Sequence, residues 1–223
     1  MAMDEMMRTT LKALRLPGLL ERWDEYAKLA EKRNLSSVRW LTRILEEEYR
    51  DRQERSRQCR LKRARIPEAY AMATYPFARQ PKLDKKRLLA VYDSFAYMEK
   101  HENVILLGRT GCGKTGLATA FLIQAIDRGY SGRFVTFPDL VAELYASVGD
   151  HTQRKVLRRY AGYDCLLIDE IGYVEIEPAQ AGLFLTLLQK RHKQRATLIT
   201  SNLGFREWEG FLKSAHLTAA LVD

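Results

Sequence analysis

The sequence predicts an α/β protein in which helices flank a parallel sheet, preceded by a small all-α region. The first 66 residues show only helical periodicity. Further along, short apolar runs alternate with helical segments, and these runs lie at 104–107, 133–137, 165–170 and 196–202. Strands that alternate with helices indicate a parallel sheet. We therefore expect a helical domain over 1–66 and an α/β domain over 67–223, with the boundary near Pro67.

The helical region is predicted to contain three helices, at 6–16, 18–33 and 37–65. Pro17-Gly18 separates the first two, and Asn34-Leu35 ends the second. Large aromatic residues in a small bundle most often lie in its core. We therefore expect Trp23 and Trp40 to form the core of this bundle.

The second half of the third predicted helix is strongly basic. Residues 50–65 contain eight Lys/Arg and two acidic residues. Such a run can be a solvated helical spacer. Its excess of positive charge favours an arm that contacts nucleic-acid phosphates. The predicted DNA-binding residues are Arg50, Arg57, Arg60, Lys62, Arg63 and Arg65.

Residues 108–115 match G-x-x-x-x-G-K-T, the phosphate-binding loop. The loop follows the 104–107 run, which we expect to be a buried strand, and precedes a helix predicted at 114–128. In this context successive backbone N–H groups and the positive helix N-terminus converge on one anion. Lys114 would supply a charge for the β- and γ-phosphates, and Thr115 a hydroxyl for Mg²⁺. The predicted nucleotide-binding residues are Gly108, Arg109, Thr110, Gly111, Cys112, Gly113, Lys114, Thr115 and Gly116.

The apolar run 165–170 ends in two acidic residues, Asp169 and Glu170. A parallel strand delivers its last residues to the carboxyl edge of the sheet, where ligands bind. Asp169 is predicted to hold Mg²⁺, directly or through water. Glu170 is predicted to orient and polarise the attacking water. The alternative is a pair of acids at the start of a loop.

The next strand ends in Thr200-Ser201-Asn202. A polar side chain at this position can lie between the γ-phosphate and the attacking water, and Asn202 is the candidate. It could instead cap the helix that follows residue 203. The predicted catalytic residues are thus Lys114, Glu170 and Asn202, and the predicted metal ligands are Thr115 and Asp169.

The composition restricts the class of protein. The net charge of +9 is concentrated in residues 1–66, which hold 17 Lys/Arg and 11 Asp/Glu. This asymmetry suggests that the front of the chain meets a polyanion. No apolar run approaches the roughly 18 residues of a membrane span. The three cysteines form no C-x-x-C pair, which suits a reducing cytosol, so we expect a cytoplasmic protein.

Together these features resemble the IstB/DnaC-like branch of the AAA+ ATPases, and its IstB transposition helpers in particular. The resemblance covers nearly the whole chain. In the helical region it rests on residues 11–18, 47–52 and 60–67. In the α/β region it rests on 106–115, on the Leu-Ile-Asp-Glu-Ile-Gly-Tyr run 167–173, and on 200–203 followed by Trp208.

The resemblance implies an AAA+ P-loop fold and an ATPase that uses ATP and Mg²⁺. It further implies assembly on duplex DNA with ATP, bending of that DNA, and presentation of the site to a transposase. The helical region would mediate self-association and DNA contact. Lys114, Thr115, Asp169, Glu170 and Asn202 match the positions at which the family handles ATP.

The sequence departs from the family pattern at its end. AAA+ relatives carry an arginine finger and a final sheet strand in the region beyond residue 223. We therefore expect a C-terminal segment to be missing from this sequence, leaving a sheet edge beside the 104–107 strand. If the arginine is absent, hydrolysis should be poor, because such a residue can be worth about 10³–10⁵ in rate.

Three other functions fit parts of the sequence. A replicative helicase loader would prefer single-stranded DNA and bind a hexameric helicase. A nucleotide-gated scaffold would use ATP binding to build a filament, with hydrolysis incidental. A small-molecule kinase would use a second substrate as its nucleophile and show no dependence on DNA.

Overall fold

The computed structural model describes residues 3–33, 36–173 and 175–212. The chain divides into two compact units, Met1–Cys59 and Arg60–Asp223. Asn34 and Leu35, which were expected to end the second helix, lie outside the described residues, and the functional boundary near Pro67 stays a prediction. Among the described helices, none combines the length and the apolar character that crossing a bilayer needs.

The first unit is helical, and its second predicted helix is interrupted. The chain leaves helical geometry at Arg22, with φ −106° and ψ 18°, so the segment forms two helices. Pro17 is the first residue of the earlier one, a position where proline's missing N–H costs nothing. The helices are α1 (Glu5–Ala13), α2 (Pro17–Glu21), α3 (Trp23–Arg33) and α4 (Ser37–Ala64), whose last residues belong to the second unit.

A buried carboxylate joins α2 to α4 in the first unit. Glu48 is 4% exposed and accepts a hydrogen bond from the backbone N–H of Leu19 at 2.9 Å. It also pairs with Arg55 at 3.1 Å. A Cβ on Gly18 would lie 2.7 Å from Glu48 Oε2, so a side chain at this position would displace the carboxylate. The segments 11–18 and 47–52, which carry the family resemblance, therefore pack against each other.

The core of the first unit differs from the prediction. Leu11, Tyr26 and Ile44 are buried, whereas Trp23 and Trp40 are only partly buried. The prediction of a tryptophan core was wrong because the indole is large and is rarely fully buried, least of all in a unit this small. Trp40 instead donates its indole N–H to the carbonyl of Tyr26 at 2.9 Å.

The second unit contains the predicted parallel sheet, which confirms the fold class. Its strands pair in the order β1-β4-β3-β2, and every pairing is parallel. The strands are β1 (Val104–Leu107), β2 (Gly132–Thr136), β3 (Cys165–Ile171) and β4 (Ala196–Ser201). The helices are α5 (Lys85–Ser94), α6 (Ala96–Glu99), α7 (Lys114–Asp127), α8 (Phe137–Gly149), α9 (Gln153–Gly162), α10 (Pro178–Arg191) and α11 (Phe205–Leu212).

Both faces of the sheet are covered by helices. Along β3, Leu166 and Ile168 pack with the apolar residues of α8 and α10, while Cys165 and Leu167 pack with those of α7. Burial on both faces explains why β3 and β4 read as continuous apolar runs. Trp208 of α11 is fully buried on the same face of the sheet as α8 and α10.

Two expectations about the second unit were wrong. Strand β1 was expected to be buried, but its residues are partly buried or exposed, and Leu107 is 36% exposed. Among the described residues β1 does lie at an edge of the sheet, as expected. The segment 67–85 contains Pro76 and Pro81, which predict an extended linker. It instead forms two short 3₁₀ turns, Met72–Thr74 and Phe77–Arg79, and Met72 is buried in the cluster that contains α7.

Arg191 at the end of α10 is the largest buried cation of the second unit, at 1% exposure. Burial lowers the pKa of its guanidinium to about 10, so the group stays charged at neutral pH. It donates to five neutral oxygens around the ends of α9 and β4: the carbonyls of Tyr160, Ala161, Tyr163 and Ala196, and the hydroxyl of Thr197. The guanidinium therefore ties both elements to α10.

Replacing Arg191 with Met should destabilise the second unit by about 3–5 kcal/mol, because it leaves several buried acceptors unpaired. Urea denaturation would measure the loss. The matched control is Lys190→Met, which removes an exposed cation from the adjacent position of the same helix. Equal effects of the two substitutions would contradict the role of Arg191.

Candidate active site

The phosphate-binding loop connects β1 to α7 as predicted. Strand β1 ends at Leu107, and α7 begins at Lys114. Gly113 precedes the helix with φ +81°, a left-handed conformation that favours glycine. Lys114 Nζ donates to the carbonyls of Gly108 and Arg109 at 2.7 and 2.9 Å. All nine predicted nucleotide-binding residues lie in this loop and the first turn of α7.

Thr115 and Asp169 meet at the end of β3. The Thr115 hydroxyl donates to the Asp169 carboxylate at 3.0 Å, and Asp169 is 3% exposed. Mg²⁺ prefers oxygen ligands and is usually bound by one or two carboxylates together with the phosphates of the substrate. The Asp169 carboxylate and the Thr115 hydroxyl provide such oxygens beside the phosphate loop. The residues present therefore fit a magnesium ion.

Glu170 lies on the wall of the nucleotide cavity. It is exposed, and it lines a cavity of about 500 Å³ together with the phosphate loop. It also lines a neighbouring cavity of about 550 Å³ with Thr115, Asp169 and Arg65. The structure thus brings both predicted acids to the phosphate loop, where the second can reach a water molecule.

The end of β4 differs from the expectation in one respect. Thr200 lines the nucleotide cavity and hydrogen-bonds to Asp169 and to the backbone of Glu170. Asn202 is not among the residues that line this cavity, and its Oδ1 is buried without a hydrogen-bond partner in the described residues. The oxygen therefore does not cap α11. Its role beside the γ-phosphate stays a prediction.

Tyrosines that the sequence analysis did not select form one wall of the cavity. The Tyr75 hydroxyl donates to the carbonyl of Cys112 at 3.1 Å. A Cβ on Gly113 would lie 2.7 Å from that hydroxyl, and the ring of Tyr70 lies against Gly116. On the other side, the hydroxyl of Tyr173 lies 2.8 Å from Thr110 Oγ1.

The volume and lining of this cavity suit a nucleoside. Aromatic and apolar groups from the 70–80 segment form its wall, and polar groups converge at the phosphate loop. A base and ribose could contact the wall while the phosphates bind the loop. The segment that sequence analysis treated as a linker is therefore a candidate base-binding element.

The predicted DNA-binding residues differ in how free they are to contact phosphate. Arg60 is half-buried and donates to the carbonyl of Ile126 at 3.3 Å, and Arg57 pairs with Glu54 at 3.3 Å. The other four, Arg50, Lys62, Arg63 and Arg65, are exposed. Those four are the better candidates for contacts with a polyanion.

Helix α9 carries a second basic surface, which the sequence analysis missed. Arg154, Lys155 and Arg158 are exposed and have no acidic partner in the part of the chain that the structure describes. With Arg159 they line a surface cavity of about 410 Å³. Arg159 itself pairs with Glu143, which raises the pKa of the guanidinium. The α9 basic surface is thus available to an anionic partner.

The sheet order, the phosphate loop at the end of β1 and the two acids at the end of β3 define an AAA+ P-loop nucleotide-binding protein. The chain belongs to the family of IstB-like ATP-binding proteins, whose model matches residues 9–223. This confirms the family resemblance and establishes ATP as the nucleotide. The family is linked to insertion-sequence transposition.

Known proteins support this assignment. The chain is 32% identical to the ATP-binding protein of insertion sequence IS5376 from Geobacillus stearothermophilus, over 99% of this chain and 88% of the relative. It is 31% identical to that of IS21 from Pseudomonas aeruginosa, over 97% and 82%. The solved DnaC helicase loader has a similar fold, with a TM-score of 0.60 and 20% identity over 71% of this chain and 94% of the loader.

Replacing Tyr75 with Ala should weaken ATP and ADP binding equally, by about tenfold, because an aromatic wall contacts the base or ribose that both nucleotides share. Isothermal titration would give the two dissociation constants. Tyr145→Ala, at a 48% exposed tyrosine of α8, is the control. A loss confined to ATP would contradict the base-binding wall.

Proposed function

We propose that this protein is an ATPase that assembles on duplex DNA with ATP and assists a transposase in insertion-sequence transposition. The relatives named above are ATP-binding proteins of insertion sequences, which supports the transposition role. The observation that carries the hydrolytic part is the meeting of Thr115, Asp169 and Glu170 beside the phosphate loop.

The residues of the loop and of β3 divide the work of hydrolysis. The backbone N–H groups of the loop and Lys114 bind the β- and γ-phosphates. Thr115 and Asp169 would hold Mg²⁺, which would neutralise charge on the phosphate oxygens. Glu170 orients the attacking water by accepting a hydrogen bond from it, and it takes up the water's proton as the oxygen attacks the γ-phosphorus.

Two basic surfaces support contact with DNA. The exposed residues Arg50, Lys62 and Arg63 of α4 are the first, and the α9 basic surface is the second. Positive charges without acidic partners gain most from phosphate, because binding releases the counterions of the nucleic acid. The helical first unit is the proposed site of self-association, as the family resemblance implies.

The variants Glu170→Gln and Lys114→Ala should separate binding from hydrolysis. Glu170→Gln should keep ATP affinity and lower the single-turnover rate about 10²–10⁴-fold, since only the base is lost. Lys114→Ala should lose ATP affinity as well, because the phosphates lose a charge partner. Nucleotide titration and phosphate release measure the two quantities.

Glu175→Gln is the control for the loss of one negative charge, since Glu175 is exposed and lies outside the residues that line the nucleotide cavity. If Glu170→Gln hydrolyses ATP at the wild-type rate, Glu170 is not the base.

Neutralising Arg50, Lys62 and Arg63 to Gln should weaken binding to duplex DNA. The slope of log affinity against log salt should fall by up to about 2.7 if each residue contacts one phosphate. Neutralising Arg154, Lys155 and Arg158 to Gln tests the α9 basic surface in the same way. Fluorescence anisotropy at several salt concentrations measures both slopes.

The matched control is the triple variant Lys86→Gln, Lys100→Gln and Lys193→Gln, which removes the same charge from other exposed positions. If this control lowers the salt slope as much as the α4 variant does, DNA binding depends only on the net charge of the protein. The basic part of α4 would then be a solvated spacer.

A further inference from the structure

Glu170 has an unusual backbone conformation for a residue within a strand. Its φ is +66°, in the left-handed region that residues other than glycine rarely adopt. At the same place the pairing of β3 with β4 shifts register between Ile168 and Ile171. Such irregularities occur next to active sites, where they redirect a side chain. They cost roughly 1–3 kcal/mol and persist only when neighbouring groups hold them.

The irregular backbone at Glu170 changes which side chains of β3 are buried. Residues 165–169 and Ile171 are buried, whereas Glu170 between them is exposed on the cavity wall. A regular central strand, covered by helices on both faces, would bury the carboxylate. The irregularity at Glu170 is therefore what gives the proposed base access to water.

The Thr200 hydroxyl holds this irregularity. It accepts a hydrogen bond from the Glu170 backbone N–H at 2.9 Å and donates to Asp169 Oδ1. Thr200 is 1% exposed, so these bonds are sheltered from water. One hydroxyl thus fixes both the proposed metal ligand and the backbone of the proposed base.

The neighbouring Ser201 hydroxyl differs from the Thr200 hydroxyl in its hydrogen-bond partners. Ser201 Oγ donates to the carbonyl of Ile171 and accepts from the N–H of Leu203 and the indole of Trp208. Its contacts secure the start of α11 and the end of β3. In the described residues, the hydrogen bonds of the Thr200 hydroxyl go to the two acids alone.

We propose that Thr200 is a positioning residue for ATP hydrolysis, acting by holding Glu170 and Asp169 in the geometry that the reaction needs. The role rests on the hydrolysis proposed above. Without the hydroxyl, the Glu170 N–H is left unpaired and the strained backbone can relax. ATP still binds to the loop and the tyrosine wall, so the rate should fall more than the affinity.

The test compares Thr200→Val, which keeps the shape of the side chain but not its hydroxyl, with Thr200→Ser, which keeps the hydroxyl. Thr200→Val should slow single-turnover phosphate release about 10–100-fold, and Thr200→Ser should restore most of the rate. The dissociation constant for ATP should change by less than about threefold, as expected when an interaction acts on catalysis rather than on binding.

The control is Thr119→Val, because Thr119 is fully buried on α7 and its hydroxyl has no hydrogen-bond partner in the described residues. It should leave the rate unchanged. A wild-type rate in Thr200→Val, or a Thr200→Ser variant as slow as Thr200→Val, would overturn the positioning role. A wild-type rate no faster than that of Glu170→Gln would overturn the hydrolysis itself.

Amide hydrogen exchange supplies a measurement that does not depend on activity. In the wild type the Glu170 amide should be protected, and in Thr200→Val it should exchange at least about tenfold faster, while Thr200→Ser keeps the protection. An unprotected Glu170 amide in the wild type would contradict the hydrogen bond on which the proposal depends.

Discussion

The carboxylate of Asp169 is the interaction on which the site depends. It accepts hydrogen bonds from Thr115 on α7 and from Thr200 on β4, and it is itself at the end of β3. Three elements are thereby tied at one point, next to the loop that binds phosphate. Because Asp169 is almost fully buried, its oxygens need hydrogen-bond partners, and these two hydroxyls supply them. The same contacts that order the sheet edge therefore prepare the metal site.

The requirement for an exposed base explains the strain beside Asp169. Helices cover both faces of the sheet, so a regular β3 would bury every side chain along it. Hydrolysis needs one carboxylate that is buried and fixed, and a second that water can reach. The left-handed backbone of Glu170 lets two consecutive residues take these two roles: Asp169 is buried, and Glu170 is exposed. Gly172 follows with φ +99° and lies so close to Leu203 that a Cβ would be 2.4 Å from the Leu203 Cγ, so glycine suits this position both in conformation and in space.

The sequence predicted the phosphate loop and the acids because each is tied by fixed spacing to a strand end. Lys114, Thr115, Asp169 and Glu170 all lie where the pattern placed them. Which residue of 200–202 faces the acids depends on the register between β3 and β4, which the sequence does not encode locally. Thr200 was therefore missed in favour of Asn202.

Other features were missed for different physical reasons. Tyr70 and Tyr75 lie in a segment without periodicity, so the path that brings them to the loop could not be predicted. Residues 101–223 hold 14 Lys/Arg and 13 Asp/Glu, and this near-neutral balance concealed the α9 basic surface with Arg154, Lys155 and Arg158. The burial of Trp23 and Trp40 was overestimated because the number of helices around them is a tertiary property.

The most direct measurement is sedimentation of the protein with duplex DNA and with single-stranded DNA of equal length, in ATP, ADP or no nucleotide. A site that senses the γ-phosphate and serves transposition predicts large complexes on duplex DNA with ATP, and much smaller ones with ADP. A preference for single strands would contradict the transposition role and favour a helicase loader. Complexes of the same size in all three nucleotide conditions would contradict the coupling of the ATP site to assembly.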